Sequence, residues 1–289
     1  MNTIKIFVLM TALMVLFMWL GYAFAGQNGM IIAFVLASAI NFFSYWYSDK
    51  LVLKMYRARE VSENDYPRLY RVVKRVATMK AMMPMPRVYI TPLKAPNAFA
   101  TGRNAEHAAV AVTEGLLEIL SEDELEGVIG HEIAHIRNKD MLLGTVVATF
   151  VGAIGILASI ARWGAIFGGY SRDNDRNNGG IALLVAAIMA PFIAFILQAA
   201  ISRQREYKAD AEGARMTGKH LALASALEKL HRAPVRLNLN DRPGTANLMI
   251  ANPLSARGFS SMFSTHPPVE KRIIRLKELA QEHAYQGIA

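Results

Sequence analysis

With seven histidines and no cysteines, any tightly held transition metal in this chain must be bound through nitrogen and oxygen. Two of the histidines flank a glutamate in the run His131-Glu132-Ile133-Ala134-His135. On a helix this spacing puts both imidazoles on one face, one turn apart, where they can share a single ion. Glu132 then points beside that face, so its carboxylate can reach a water on the ion without being a ligand. Those residue types in that order suit hydrolysis of a peptide bond. The ion acidifies the water and polarises a carbonyl, while Glu132 takes the proton and later passes it to the leaving amine. Two surface histidines in a charged turn would be the plainer reading, but Val128, Ile129 and Ile133 give the segment an apolar face for packing.

Several elements must position this segment. Ser121-Glu122-Asp123-Glu124 is a capping-box pattern and predicts that the helix carrying His131 starts at Glu122. Upstream, residues 63–80 read as an amphipathic helix with Leu69, Val72, Val73 and Val76 on one side. Pro84-Met85-Pro86 breaks it, and residues 87–91, 98–101 and 108–112 read as short strands of a small sheet. Further on, residues 204–217 and 221–231 read as helices. The stretch 233–264, rich in Asn, Pro, Gly and Ser, reads as a loop or mobile cover. Pro267 and Pro268 can open a last helix, amphipathic through Ile273, Ile274, Leu276 and Leu279.

The composition places much of the chain in lipid. A hydrophobic share of 53% with positive mean hydropathy exceeds the ordinary soluble range. The excess lies in four blocks, residues 4–24, 30–47, 141–163 and 181–201. Each is close to the ~20 residues that cross a bilayer core. Ala23-Phe24-Ala25 looks like a signal-peptide cleavage site, but the apolar stretch is longer than the usual roughly 7–15 residues and a second one follows at once. A retained hairpin is the better reading. Apart from Lys5, Arg162, Arg172 and Arg176, every Lys and Arg falls in residues 48–140 or 202–289. By the positive-inside rule both polar segments and both termini face the cytoplasm. The net charge of +9 is spread without aromatic interleaving, so no nucleic-acid partner is expected.

That parity returns the chain, after the third and fourth blocks, to the side it left. Residues just before 141 and just after 201 can therefore meet. Gly144, Ala148 and Gly152 would allow another helix close to the third block. His135 and Glu206 both stand about five or six residues, roughly 8–9 Å, from the same membrane boundary, which makes Glu206 the candidate third ligand. Asp210 is four residues further along the same helix face and suits orienting a ligand histidine. His107, His220, His231 and His283 have no partner at metal spacing.

With these residues, the chain resembles the HtpX-type membrane-integral zinc metalloproteases, related to the CAAX prenyl proteases. The resemblance covers nearly its whole length. It rests on the amino-terminal apolar hairpin, Pro96-Asn97-Ala98-Phe99-Ala100-Thr101-Gly102, Gly115-Leu116-Leu117, the His131–His135 run, Arg203-Gln204-Arg205-Glu206-Tyr207-Lys208-Ala209-Asp210 and Thr265-His266-Pro267-Pro268. It implies one Zn2+ per chain held by His131, His135 and Glu206, with Glu132 as catalytic base and Asp210 in support. It also implies an edge strand at Asn97, Ala98, Phe99 and Ala100 along which a substrate backbone lies by strand addition. His266 would donate to the oxyanion, and Arg272 would hold the last helix in place.

The expected fold is mainly α with a small β-sheet: an α-helical integral membrane protein with a cytoplasmic zincin-like metalloprotease domain. Residues 1–47 and 141–201 would be transmembrane hairpins, and 48–140 and 202–289 the two catalytic parts. The resemblance implies a multi-pass protease of the bacterial inner membrane that cleaves misfolded or damaged membrane proteins, or other unfolded polypeptides, at the bilayer. A specialised CAAX-type processing protease and a silent metal-binding scaffold are the alternatives.

Overall fold

The amino-terminal apolar residues form α1, Asn2–Met55, in a computed structural model that describes residues 2–141, 203–233 and 267–286. Drawn straight, its 54 residues would extend roughly 80 Å. It does not run straight. Asn41 Nδ2 donates to the Met10 carbonyl at 3.3 Å, and a Cβ on Gly21 would fall 2.4 Å from the Gly29 carbonyl oxygen. The chain folds back at Gly26, whose φ of +60° suits glycine. The apolar residues therefore form a helical hairpin. Among the described residues, Gly26–Tyr47 is the helical stretch long and apolar enough to cross a bilayer, and Ile6–Trp19 is a shorter apolar stretch. The second apolar pair, with Gly144, Ala148 and Gly152, lies outside the described residues except for Met141.

The sheet has four strands in the order β1-β2-β4-β3: β1 Arg59–Glu60, β2 Arg87–Thr91, β3 Ala98–Thr101 and β4 Ala109–Thr113. β2 and β4 are parallel, while β1 and β3 join antiparallel at the two edges. β4, expected at residues 108–112, starts one residue later, after a short turn at Ala105–His107 that Asn104 caps. Apart from the short, exposed β1, both faces of the sheet are covered, which is why β2, β3 and β4 are largely apolar. Val88, Ile90, Ala98, Ala100, Val110 and Val112 face the helical layer. Tyr89, Phe99, Ala109 and Ala111 pack on Val52, Leu53 and Tyr56 at the end of α1. The apolar hairpin is thereby joined directly to the sheet.

Helix α2 covers Pro67–Lys74, shorter than the predicted 63–80. Ser62 bonds to Asp65 in a turn, and Pro67 suits the first helical position. Arg75–Lys80 continues as a π-helical turn. Residues five apart diverge on an α-helix but come onto one face in this wider turn. Arg75 and Lys80 can thus both grip the buried Glu126, each at 3.0 Å.

After α3, Glu114–Ile119, the central helix α4 runs from Glu122 to Arg137. It begins where the capping box predicts: Ser121 Oγ accepts from Glu124 N–H, and Glu124 Oε2 from Ser121 N–H. Around it pack α2, β3, α5 (Arg203–Thr217) and α6 (His220–Arg232), and α7 (Val269–Gln286) closes over α5 and α6. Val128, Ile129 and Ile133 are fully buried in this core, as their pattern requires. The predicted loop 233–264 lies outside the described residues.

Candidate metal centre

Two glycines set the spacing between α4 and α5. A Cβ on Gly130 would sit 2.9 Å from the Gly213 carbonyl oxygen, and one on Gly213 would sit 2.6 Å from the His131 backbone nitrogen. This close approach brings the first turn of α5 against the face of α4 that carries the histidines. His131 Nε2 and His135 Nε2 lie 3.1 Å apart. Glu206 reaches both, its Oε2 3.7 Å from His131 Nε2 and its Oε1 3.5 Å from His135 Nε2. With metal–ligand distances of about 2.1 Å, a tetrahedral site has edges of about 3.4 Å. The triangle fits an ion of that kind.

Protonation makes the same case. His135 Nδ1 is 3.1 Å from Asp140 Oδ2, and His131 Nδ1 is 2.9 Å from Asp210 Oδ1, the latter contact off the ideal line. A carboxylate at each Nδ1 places the ring proton there and leaves both Nε2 lone pairs facing Glu206. Three acceptors then converge with no donor between them, an arrangement that calls for a cation. At His135 burial opposes the charge, but the Asp140 hydrogen bond and the Glu206 carboxylate outweigh it and push the imidazole up to about 9. Burial instead lowers His131, against the pull of Asp210.

Glu132 is buried, and burial pushes its carboxyl up to about 7, with the Ala100 backbone amide pulling the other way. This contact joins the site to β3, the last strand of the sheet. Asn97, Ala98, Phe99 and Ala100 are all buried. Phe99 packs on Tyr56 with ring centroids 4.6 Å apart, so its ring serves the packing against α1. Asp210 is also buried, and although burial would raise its carboxyl, Arg272 holds it down to about 2. Arg272 is fully buried and donates to both Asp210 oxygens at 2.7 Å, with Glu206 Oε2 3.7 Å away. The family resemblance gave Arg272 a supporting role, holding the last helix in place. The structure brings it into the centre of the site.

Of the expected site residues, His131, Glu132, His135, Glu206, Asp210 and Arg272 converge; of the expected substrate strand Asn97–Ala100, Ala100 reaches Glu132 while Phe99 faces α1, and His266 lies outside the described residues. Sequence reasoning missed Asp140, Arg205, Gly130 and Gly213. Asp140 had a faint signal, a carboxylate five residues after His135. The left-handed turn that brings it back occurs at Lys139, φ +58°, where glycine is usual.

The sequence model of the family described as "Peptidase family M48" matches residues 63–280. A "Protease HtpX homolog" of Desulfatibacillum aliphaticivorans is 50% identical over 276 residues, covering 95% of this chain and 89% of that one. One from Pyrococcus furiosus is 54% identical over 276 residues, covering 95% and 94%. Among solved structures, the crystal structure of S. mikatae Ste24p aligns with a TM-score of 0.52 at 17% identity, covering 95% of this chain and 65% of that one.

Proposed function

Because the chain belongs to peptidase family M48 and is an HtpX-type metalloprotease, we propose that it is a membrane-bound zinc endopeptidase acting on misfolded or damaged membrane proteins at the cytoplasmic face. The observation that carries this reading is the acceptor triangle of His131, His135 and Glu206 with Glu132 beside it. Two imidazoles and one carboxylate with an open position favour zinc among divalent ions. When bound, the ion supplies Lewis acidity, bringing water towards hydroxide near neutral pH and polarising the scissile carbonyl.

The protein's own groups do the rest. Glu132 is held at a pKa of about 7, which suits a base that must take a proton and give it back. Ala100 beside it supports the reading of β3 as the strand to which a substrate backbone adds, placing the peptide bond next to Glu132. Asp210 and Asp140 keep the imidazoles turned Nε2-inward.

The membrane part of the proposal is supported by α1, which exposes Phe7, Val15, Ile32, Leu36 and Phe43. It passes through Tyr45, Trp46 and Tyr47, an aromatic girdle of the interfacial kind, before Lys50 and Lys54. Together with the charge distribution, this favours both polar segments in the cytoplasm and a second apolar hairpin within 141–201. His266 remains the proposed oxyanion donor from the segment before α7.

The full-length protein reconstituted in lipid provides the test. Glu132→Gln is expected to keep its zinc while cleavage of an unfolded membrane substrate stops, and Glu206→Ala to lose the zinc. Undiminished cleavage by Glu132→Gln would overturn the mechanism. Preference for a set of carboxyl-terminal tail peptides over the unfolded substrate would replace quality control by specialised processing.

A further inference from the structure

The two histidines of the triangle are held by two arms of the same build. On His131 the arm is Asp210 backed by Arg272. On His135 it is Asp140, with Arg205 Nη1 4.0 Å from the carboxylate oxygen that does not face the imidazole. From this geometry we infer that Asp140, steadied by Arg205, is a positioning residue for His135 and sets how firmly the site holds its metal. The inference rests on the zinc-site reading above.

Backbone and side chain both bear on it. Helix α4 ends in a paired cap: Lys139 N–H donates to Ile136 C=O at 3.1 Å and Asp140 N–H to His135 C=O at 3.0 Å. This pairing, closed by a residue with positive φ, is the Schellman arrangement. Lys139 carries a Cβ at a position that favours glycine, so the turn is held at some conformational cost. The turn lays the Asp140 carboxylate alongside the imidazole five residues earlier, where Oδ2 accepts from Nδ1. Asp140 is buried, so water does not compete strongly for this bond. The rotation of the His135 ring about its own axis is thereby fixed, with Nε2 towards Glu206.

Arg205 stands one residue before Glu206 on α5, also in contact range of the centre. The second arm therefore ties the end of α4 to the start of α5. These are the points where the polypeptide enters the apolar run that begins at Met141 and leaves the one that ends at Ile201.

The test uses the purified full-length protein stripped of metal, titrated with Zn2+ against a competing chelator, and separately loaded with Co2+ for its visible spectrum. Asp140→Ala is expected to weaken Zn2+ binding by roughly 10–100-fold and to alter the Co2+ bands. Asp140→Asn, which keeps an acceptor oxygen, recovers most of both. If Asp140→Ala does not fold, Asp140→Glu, which keeps the charge but displaces the oxygen, is expected to show the same spectral change. An unchanged affinity and Co2+ spectrum in the folded variants, with only the melting temperature lowered, would reduce Asp140 to a helix cap and overturn the inference. Glu206→Ala is the separate control. Unaltered metal binding in that variant would remove the zinc-site reading itself, and this inference with it.

Discussion

Glu124 and Glu132 lie about two turns apart on the same helix and are almost equally buried, at 6% and 4% exposure, yet their carboxyls are driven in opposite directions. Burial would raise both. At Glu124 it is overcome by Lys229, Ser121 and Ser225, which hold the carboxyl down to about 2. At Glu132 burial prevails, and the carboxyl rises to about 7. The difference lies in the partners and in depth, since Glu132 sits further inside the fold than Glu124 although neither is exposed to water. A buried carboxylate given a full set of donors fastens two helices together, as Glu124 fastens α4 to α6 through Ser225 and Lys229 at 2.7 Å each. One left short of donors stays reactive and destabilises the fold in its charged form.

The comparison can be broken at several points. The largest effect separates the two glutamates by activity. Glu132→Gln is expected to lower turnover by roughly 10²–10⁴-fold, while Glu124→Gln leaves turnover per folded molecule within about twofold, in a proteolysis assay normalised to folded protein. The next turns Asp210 into a second donor-starved carboxylate. Arg272→Met removes both of its strong donors and is expected to destabilise the protein by about 3–5 kcal/mol, read as a lower melting temperature, and to loosen metal binding through His131.

The smallest concerns pH. The folded pKa of Glu124, about 2, lies below its ordinary value of 4.5, so its contribution is complete above about 4.5 and is lost as pH falls towards 2. Melting followed across that window should show a steeper acid loss in the native sequence than in Glu124→Gln. The variant should be less stable at neutral pH by roughly 2–3 kcal/mol. Equal slopes would mean that the Lys229 and Ser225 contacts do not hold in solution.

How much of this was legible beforehand follows the range of the interaction. The start of α4 and the burial of Val128, Ile129 and Ile133 rest on patterns within a few residues, and both are found where the sequence places them. The positions of β2 and β3 were legible for the same reason. The helix predicted for residues 63–80 was too long at its start and uniform where it is not. Its π turn answers to Glu126, which lies on another helix. Glu206 and Asp210 were expected from membrane parity and helical spacing, and the structure places both beside His131 and His135. Arg272 reached the site from the far end of the chain, and its depth there had no local signal.

By itself the sequence determined which donors the site could use and their order on a helix, because residue type and periodicity are written locally. Only the tertiary structure decided the rest. It let α4 and α5 meet at Gly130 and Gly213, turned Asp140 back onto His135, and gave Glu124 the partners that it withheld from Glu132. Desolvation and charge pairing depend on what surrounds a group, and in a folded chain those surroundings come from residues far away in sequence.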